Sequence, residues 1–491
     1  MNSFYWYDYE TTGSDVRHDR PVQFGGLRTD LDLNQIGRPD VFWAELAEDV
    51  LPHPMAVLVT GVLPQEAAER GEPEYLFARR IAEVLSKPGT CAVGYNNLRF
   101  DAEVTRYLFW RNLLDPYAHE WRNGNSRWDL IDLLRACRLM RPEGLDWPDN
   151  DEGQPSFRLE HLAAANGIEH GDAHDALADV RATLALARKV KSAQPRLFAH
   201  VLSLRSKQQV LKMLELGSLR PLVHVSGRFA ASLGAASVIL PLFADPVQSN
   251  RIVCWDLRVD PTYLLDTPTD TLHNWLYSRA DDLPEGAVRP GIKHVHLNRA
   301  PVLVPASVLK DSAVLARMQL DLAEVLRHLE WIRNNLVAVT RQLMAVLEVK
   351  QPYVEVEPEA ALYDGFVSDV DRRKLNALLE QVEVLLHRPS AKVSISLPSF
   401  ADPRLPVLVK HFLARNLPQA LDEAGRAEWR SHCRMRLGLE GERPARYAGV
   451  LDFAGFEQAL TQAITNSDAG QQELLRKLAA WAEEKRNRLS V

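Results

Sequence analysis

The chain has 491 residues, room for about three domains at roughly 150 residues each. Apolar types make up 46% and charged types 25%, ordinary values that exclude a disordered chain, a collagen-like repeat and a disulfide scaffold. The net charge of −7 is uneven, because residues 1–200 are acidic, 201–350 slightly basic and 351–491 near neutral. An acidic first segment does not suit a passive nucleic-acid binder, but it suits carboxylates gathered around a divalent metal.

In chain order, the aromatic run Phe4–Tyr9 predicts a strand, Val22–Thr29 a second and Met55–Thr60 a third. Glu74–Leu85 has helical spacing, and Thr90–Tyr95 is a short apolar strand that ends in Asn96-Asn97. Asp101–Arg111 is helical, Arg127–Ala136 passes from strand end into helix, and Ser156–Asn166 and Ala173–Ser192 are helices. Strands followed by strand–helix alternation indicate an α/β domain with a mixed sheet over residues 1–195, ending near Gln194–Arg196. PLVHVSG, SVILPLFA, RIVCWDLRV and KHVHLNRAPVLVP then predict a small barrel or sandwich, interrupted by a helix at Thr271–Arg279. Asp311–Leu347 reads as a long trailing helix, which takes this β-rich unit over 196–350. Residues 351–491 read as helical throughout, with Ser368-Asp369-Val370-Asp371 as a capped helix start. No repeat of solenoid period is present.

No stretch approaches the roughly 18 apolar residues of a membrane helix, and MNSFYWYDYE reads as a strand start rather than a leader. Cys91, Cys137, Cys254 and Cys433 are far apart without a CxxC pair, so reduced thiols and a cytoplasmic location are expected.

Three short segments carry chemistry. In YWYDYETTG, Asp8 and Glu10 lie two apart and so share one face of a strand. An oxygen-only pair at a strand exit suits a hard cation, although a solvated strand face has the same pattern. In GYNNLRFDAEV, Asp101 opens a helix just after a strand. It is either a helix-start acid or a third carboxylate at the sheet's catalytic end, where Asn96 and nearby aromatics would meet a nucleotide. In HDALADV, Asp175 caps a helix, His174 precedes it and Asp179 sits about one turn in. An imidazole there can take a proton from water near neutral pH, beside a further carboxylate ligand.

The order Asp8-x-Glu10, Asp101, His174-x-x-x-x-Asp179 resembles the DEDDh group of 3′–5′ exonucleases, which share an RNase H-like fold. DYETTG, GYNNLRFDAEVTR, NSRWDL, RPEG, PSFRLEHLAAANGIEH and AHDALADV look like bacterial exonuclease I, a single-strand-specific exodeoxyribonuclease, and LVHVSG and LYDGF extend the likeness onward. The resemblance implies an exonuclease domain, an SH3-like β-barrel and an all-helical C-terminal domain closing around a strand for processive digestion to 5′-mononucleotides in DNA repair and recombination. It makes Asp8, Glu10 and Asp179 ligands of one Mg²⁺, with Asp8 bridging to a second supported by Asp101, His174 as general base, and Mn²⁺ as a substitute. Substrate contacts are implied for Glu10 and for Arg158 near the scissile end, and Tyr95, Phe100, Trp121 and Trp128 are candidates to stack bases. His224–Arg228, Lys293 to Arg299 and Lys310 would supply basic groups along the strand path. The family also docks the acidic, apolar tail of single-stranded DNA-binding protein on a basic pocket that Arg141 and Lys310 would match. A monomer is expected. The competing readings are RNA 3′-end trimming with the same chemistry and a non-catalytic single-strand clamp.

Overall fold

The computed structural model describes residues 1–169, 171, 175–349, 354–387, 395 and 397–490. Strand β1 (Ser3–Thr11) is the middle strand of a five-stranded sheet with β2 (Pro21–Thr29), β3 (Gln35–Trp43), β4 (Thr90–Gly94) and β5 (Ser126–Asp129). Their order is β3-β2-β1-β4-β5, with β1 antiparallel to β2, β2 antiparallel to β3, and β1–β4–β5 parallel. Because β1 is covered on both faces, alternate side chains enter two cores. Tyr5, Tyr7 and Tyr9 pack with Phe24, Phe77, Ile81 and Leu108, whereas Phe4 and Trp6 pack with Trp128, Leu134 and Val180. Asp8 and Glu10 continue the Phe4–Trp6 face, the side met by the Ala176–Ala193 helix.

The expected third strand at Met55–Thr60 is instead a helix, Pro54–Thr60. The His53 side chain accepts from the Met55 N–H, Pro54 fills the first turn and Gly61 closes the end at φ +70°. Caps decide such a short apolar run, since periodicity alone does not. The real third strand, QIGRPDVFW, was hidden by its polarity; it is an edge strand, which tolerates Pro39 and exposed side chains.

The second unit is an antiparallel sheet of β6 (Leu222–Val225), β7 (Ala236–Ala244), β8 (Arg251–Asp256), β9 (Ile292–His296) and β10 (Val302–Pro305), ordered β10-β6-β7-β8-β9. The single helix expected over Asp311–Leu347 is three helices, Ser312–Met318, Leu322–Asn334 and Leu336–Glu348. Gln319 at φ +48° stops the first, and Asp321 caps the second through the Ala323 and Glu324 N–H groups. Beyond residue 354 the described regular elements are helices, chiefly Asp369–His387, Leu405–Asn416, Glu423–Arg436, Phe453–Thr465 and Ala469–Ser490. The Ser368 hydroxyl accepts from the Asp371 N–H at 3.1 Å, the expected cap. Cys91, Cys137, Cys254 and Cys433 are buried and free. No described helix is long and apolar enough to cross a membrane.

Charge as well as apolar packing joins the helical unit to the first. Arg20 bonds Glu359 at 2.7 Å and Asp49 at 3.3 Å, and Arg111 bonds Glu74 at 3.1 Å. Arg415 bonds Glu359 and lies 3.6 Å from Glu74, while Arg436 and His18 both hold Glu357 at 3.0 Å. These acids and arginines are nearly solvent-free, and the arginines hold the Glu359 and Glu357 carboxyls below the usual carboxylate range. Glu103 makes a second junction, accepting from Arg106 (3.0 Å), from Arg299 of the β-rich unit (3.1 Å) and from the Tyr363 hydroxyl of the helical unit.

Removing one side of a buried ion pair strands the other. Arg436→Ala is expected to lower unfolding free energy by about 3–5 kcal/mol in urea titration. Arg476→Ala, from an exposed pair with Glu473, should cost less than about 1 kcal/mol.

Candidate active site

Carboxylate oxygens of Asp8, Glu10 and Asp179 all lie within 4.8 Å of one another. Four local features produce this convergence. Asp8 and Glu10 share a face of β1, whose pairing with β2 sets Asp8 opposite Gly25 and Glu10 opposite Gln23. A Cβ on Gly25 would stand 2.5 Å from the Ala176 carbonyl carbon and the Leu177 nitrogen, so only glycine lets the helix start come this close. The Gln23 amide ties that start down, donating to Asp175 at 2.9 Å and accepting from the Ala176 N–H at 3.2 Å. Asp175 accepts from the Leu177 and Ala178 N–H groups as the expected cap, and this puts Asp179 one turn in, facing β1.

Asp101 joins them from the far side. It is the first residue of its helix without capping it, and its carboxylate instead accepts from the Tyr9 N–H at 3.2 Å, between Asp8 and Glu10. Its nearness to the group shows in the electrostatics. Burial, reinforced by Asp179 and Asp101, pushes Glu10 up to about 9. Burial with its carboxylate neighbours raises Asp101 to about 8 and moves Asp8 well above the carboxylate range. The four acids make an all-oxygen donor set for a hard divalent ion, which would relieve this repulsion. His174, the fifth expected member, lies outside the described residues.

The remaining expected residues fall into distinct places. Tyr95 is half-buried and donates to the Phe157 carbonyl at 2.6 Å, which ties the end of β4 to the loop before Arg158. Asn96 adopts φ +60°, and its N–H bonds Asp129 at 2.9 Å. Asp129 also takes the Leu98 and Ile131 N–H groups, so its role is structural. Arg158 is exposed at the start of the Leu159–Ala165 helix, its guanidinium without a hydrogen-bond partner among the described residues. Trp128 cannot stack a base, because it is fully buried against Phe198. Phe100 is half-buried and Trp121 is 62% exposed. His224 does not add a cation to the β-rich unit, since burial pulls it down to about 4, and His296 falls to about 4 for the same reason. Arg228, Lys293 and Arg299 remain as its charges there. Arg141 and Lys310 line one groove of about 960 Å³, with Arg196.

Sequence reading missed a cavity of about 690 Å³ that begins at Glu10 and is walled by Thr11, Phe100, Met55, Val59 and Leu451 among others. Reading Pro54 and Gly61 as helix punctuation would have put Met55 and Val59 on one exposed face.

The mixed sheet and its carboxylate cluster define an exonuclease, and the exonuclease family matches residues 5–187. The exonuclease I SH3-like domain matches residues 205–349 and the exonuclease I C-terminal domain residues 356–485, so the chain belongs to the exonuclease I family. It is 43% identical over 435 residues to exodeoxyribonuclease I of Escherichia coli K12, covering 88% of this chain and 90% of that one. It also resembles the crystal structure of E. coli exonuclease I with a dA16 oligonucleotide (TM-score 0.89, 40% identity, 99% of this chain and 100% of that one). The zinc-bound E. coli exonuclease I–single-stranded DNA complex has a TM-score of 0.88 at 40% identity, with coverage of 99% and 100%.

The folded chain holds protons on Glu10, Asp101 and Asp8 more tightly than the unfolded chain does. Without metal, the contribution of these three groups to stability is therefore greatest below about pH 4 and is lost as pH rises towards the folded values near 8 and 9. In EDTA the melting temperature should fall between about pH 5 and pH 9. Added Mg²⁺ should raise it most at the alkaline end, and Asp8→Asn should flatten both effects. A flat metal-free profile would contradict the reading.

Proposed function

We propose that this protein is a Mg²⁺-dependent 3′–5′ exonuclease that degrades single-stranded DNA processively to 5′-mononucleotides, serving DNA repair and recombination as a cytoplasmic monomer. The observation that carries this is the convergence of Asp8, Glu10 and Asp179 on one point, with Asp101 bonded to the strand between the first two. The likeness to exodeoxyribonuclease I over most of the chain supports the substrate.

Asp8, Glu10 and Asp179 would hold one divalent ion, and Asp8 with Asp101 a second. Bound there, Mg²⁺ or Mn²⁺ supplies positive charge that makes water more acidic and stabilises the leaving 3′-oxygen. The protein's own groups do the rest. His174, placed by sequence one residue before the Asp175 cap, accepts the proton of the attacking water. Arg158 offers two parallel donors to a phosphate near the scissile bond. Glu10, Asn96 and Tyr95 orient the terminal nucleotide. Arg228, Lys293 and Arg299 attract the strand upstream, a sequence-independent grip suited to processive movement. We assign the domains to 1–195, 196–350 and 351–491.

The groove carrying Arg141, Lys310 and Arg196 also has apolar Met140, Leu197 and Val308. Asp311, its one acid among the described residues, is occupied in capping the Ser312–Met318 helix. Cations beside apolar side chains fit the acidic, apolar tail of single-stranded DNA-binding protein, which we propose as its occupant.

Two experiments test these assignments. With end-labelled oligonucleotides and Mg²⁺, shortening of single-stranded DNA well beyond matched RNA or duplex is expected, and EDTA should stop it. Asp8→Ala should abolish shortening, by more than about 10³-fold, while strand binding stays measurable. Substantial activity in Asp8→Ala defeats the catalytic assignment. For the groove, Arg141→Glu or Lys310→Glu should weaken binding of an acidic tail peptide about tenfold or more and leave hydrolysis of a short bare oligonucleotide intact. Unchanged peptide affinity defeats the docking assignment.

A further inference from the structure

A further carboxylate stands beside the cluster without joining it. Asp175 lies one helical turn before Asp179, and its charge reaches Glu10. Among the described residues, however, the oxygens that converge within 4.8 Å are those of Asp8, Glu10 and Asp179. The hydrogen bonds of Asp175 account for its exclusion. One of its oxygens accepts from the Leu177 and Ala178 N–H groups at 3.1 and 3.2 Å. The other accepts from the Gln23 amide at 2.9 Å. Gln23 is itself buried, and its own oxygen accepts from the Ala176 N–H at 3.2 Å, so both ends of the amide are engaged at the helix start. The β1–β2 register sets Gln23 directly opposite Glu10, on the strand face that carries the cluster.

The residue type follows from these partners. Methionine at position 23 would leave a helix-start N–H and a carboxylate oxygen unpaired. Glutamate would set a like charge against Asp175 and Glu10, and lysine would bring a cation that competes with the ion. A neutral amide holds Asp175 without discharging the ligands. We propose that Gln23 is a positioning residue that withdraws Asp175 from the ion's donor set and so makes the site selective for Mg²⁺ over Ca²⁺. The two ions want different surroundings. Mg²⁺ is small, demands a near-octahedral shell and keeps several waters beside one or two carboxylates, whereas Ca²⁺ takes about six to eight oxygens in a flexible arrangement. A few carboxylates on a pinned helix start suit the first, and an added carboxylate on a loosened helix start suits the second. Gln23 acts through Asp175 and the helix that brings Asp179. The proposal rests on the metal-dependent reading above.

The test titrates the full chain, free of DNA, with MgCl₂ and with CaCl₂ at constant ionic strength, and takes each ion's apparent Kd from the rise in melting temperature. Gln23→Met should weaken Mg²⁺ about tenfold or more and Ca²⁺ by less than about threefold, so that selectivity falls about threefold or more. Adding Asp175→Asn to Gln23→Met keeps a helix cap and removes the released charge. The double variant should therefore weaken Ca²⁺ in turn and return the ratio of the two constants towards wild type. Gln23→Asn keeps the amide and is too short to reach both partners, so it should lower selectivity as Gln23→Met does, and it serves where Gln23→Met fails to fold. A merely structural role would weaken both ions together. An unchanged ratio therefore overturns the proposal, whether both affinities hold or both fall in proportion. A Ca²⁺ affinity that ignores Asp175→Asn in the Gln23→Met background overturns it as well. Wild type whose melting temperature neither ion moves overturns the metal-site reading itself.

Discussion

Like charges forced together govern the first domain. Two carboxylates about 4 Å apart repel by roughly 4 kcal/mol at the effective dielectric of a protein surface, and a whole domain is stable by only about 5–15 kcal/mol. A site holding Asp8, Glu10 and Asp179 within 4.8 Å therefore needs a frame that cannot relax away from it. Three devices supply that frame. The middle strand is hydrogen-bonded on both sides, the Tyr9 N–H holds Asp101 in place, and Gly25 with Gln23 pins the helix that brings Asp179. These supports cluster where the carboxylates crowd together, and a divalent ion held there would relieve their repulsion.

How much of this the sequence displayed depended on whether the signal was local. The Asp8–Glu10 pair, the Asp175 cap and the Asp101 helix start are encoded within a few residues each, and they were legible. The Asp101–Tyr9 bond that unites them was not, because it joins positions 92 apart. Local signals also misled where two structures share one pattern. The run MAVLVT satisfies a buried strand and a short helix equally, and only the capping residues decide. An edge strand such as Gln35–Trp43 has no apolar alternation to read, since one side has no partner strand and most of its residues face water. Trp128 was open to packing as well as to base stacking and is core; aromatic type alone does not report burial.

The later units show the same division. Their helix and strand spacing was visible, but what binds them to the first domain was not. Arg20, Asp49, Glu74, Glu357, Glu359, Arg415 and Arg436 are scattered singly through the chain and gain meaning only when folding strips their water. Such a layer contributes little net stability compared with apolar packing, yet it penalises every arrangement that leaves one member unpaired. It thereby specifies one seating of the helical unit on the nuclease domain.

Glu103 extends that logic to chemistry. It stands two residues beyond Asp101 on one turn of helix and is grasped by side chains from all three segments. Arg299 of the β-rich unit and Tyr363 of the helical unit therefore meet at a single carboxyl on the helix that presents Asp101. One short turn of helix thus keys both outer units to the element that carries a member of the carboxylate cluster.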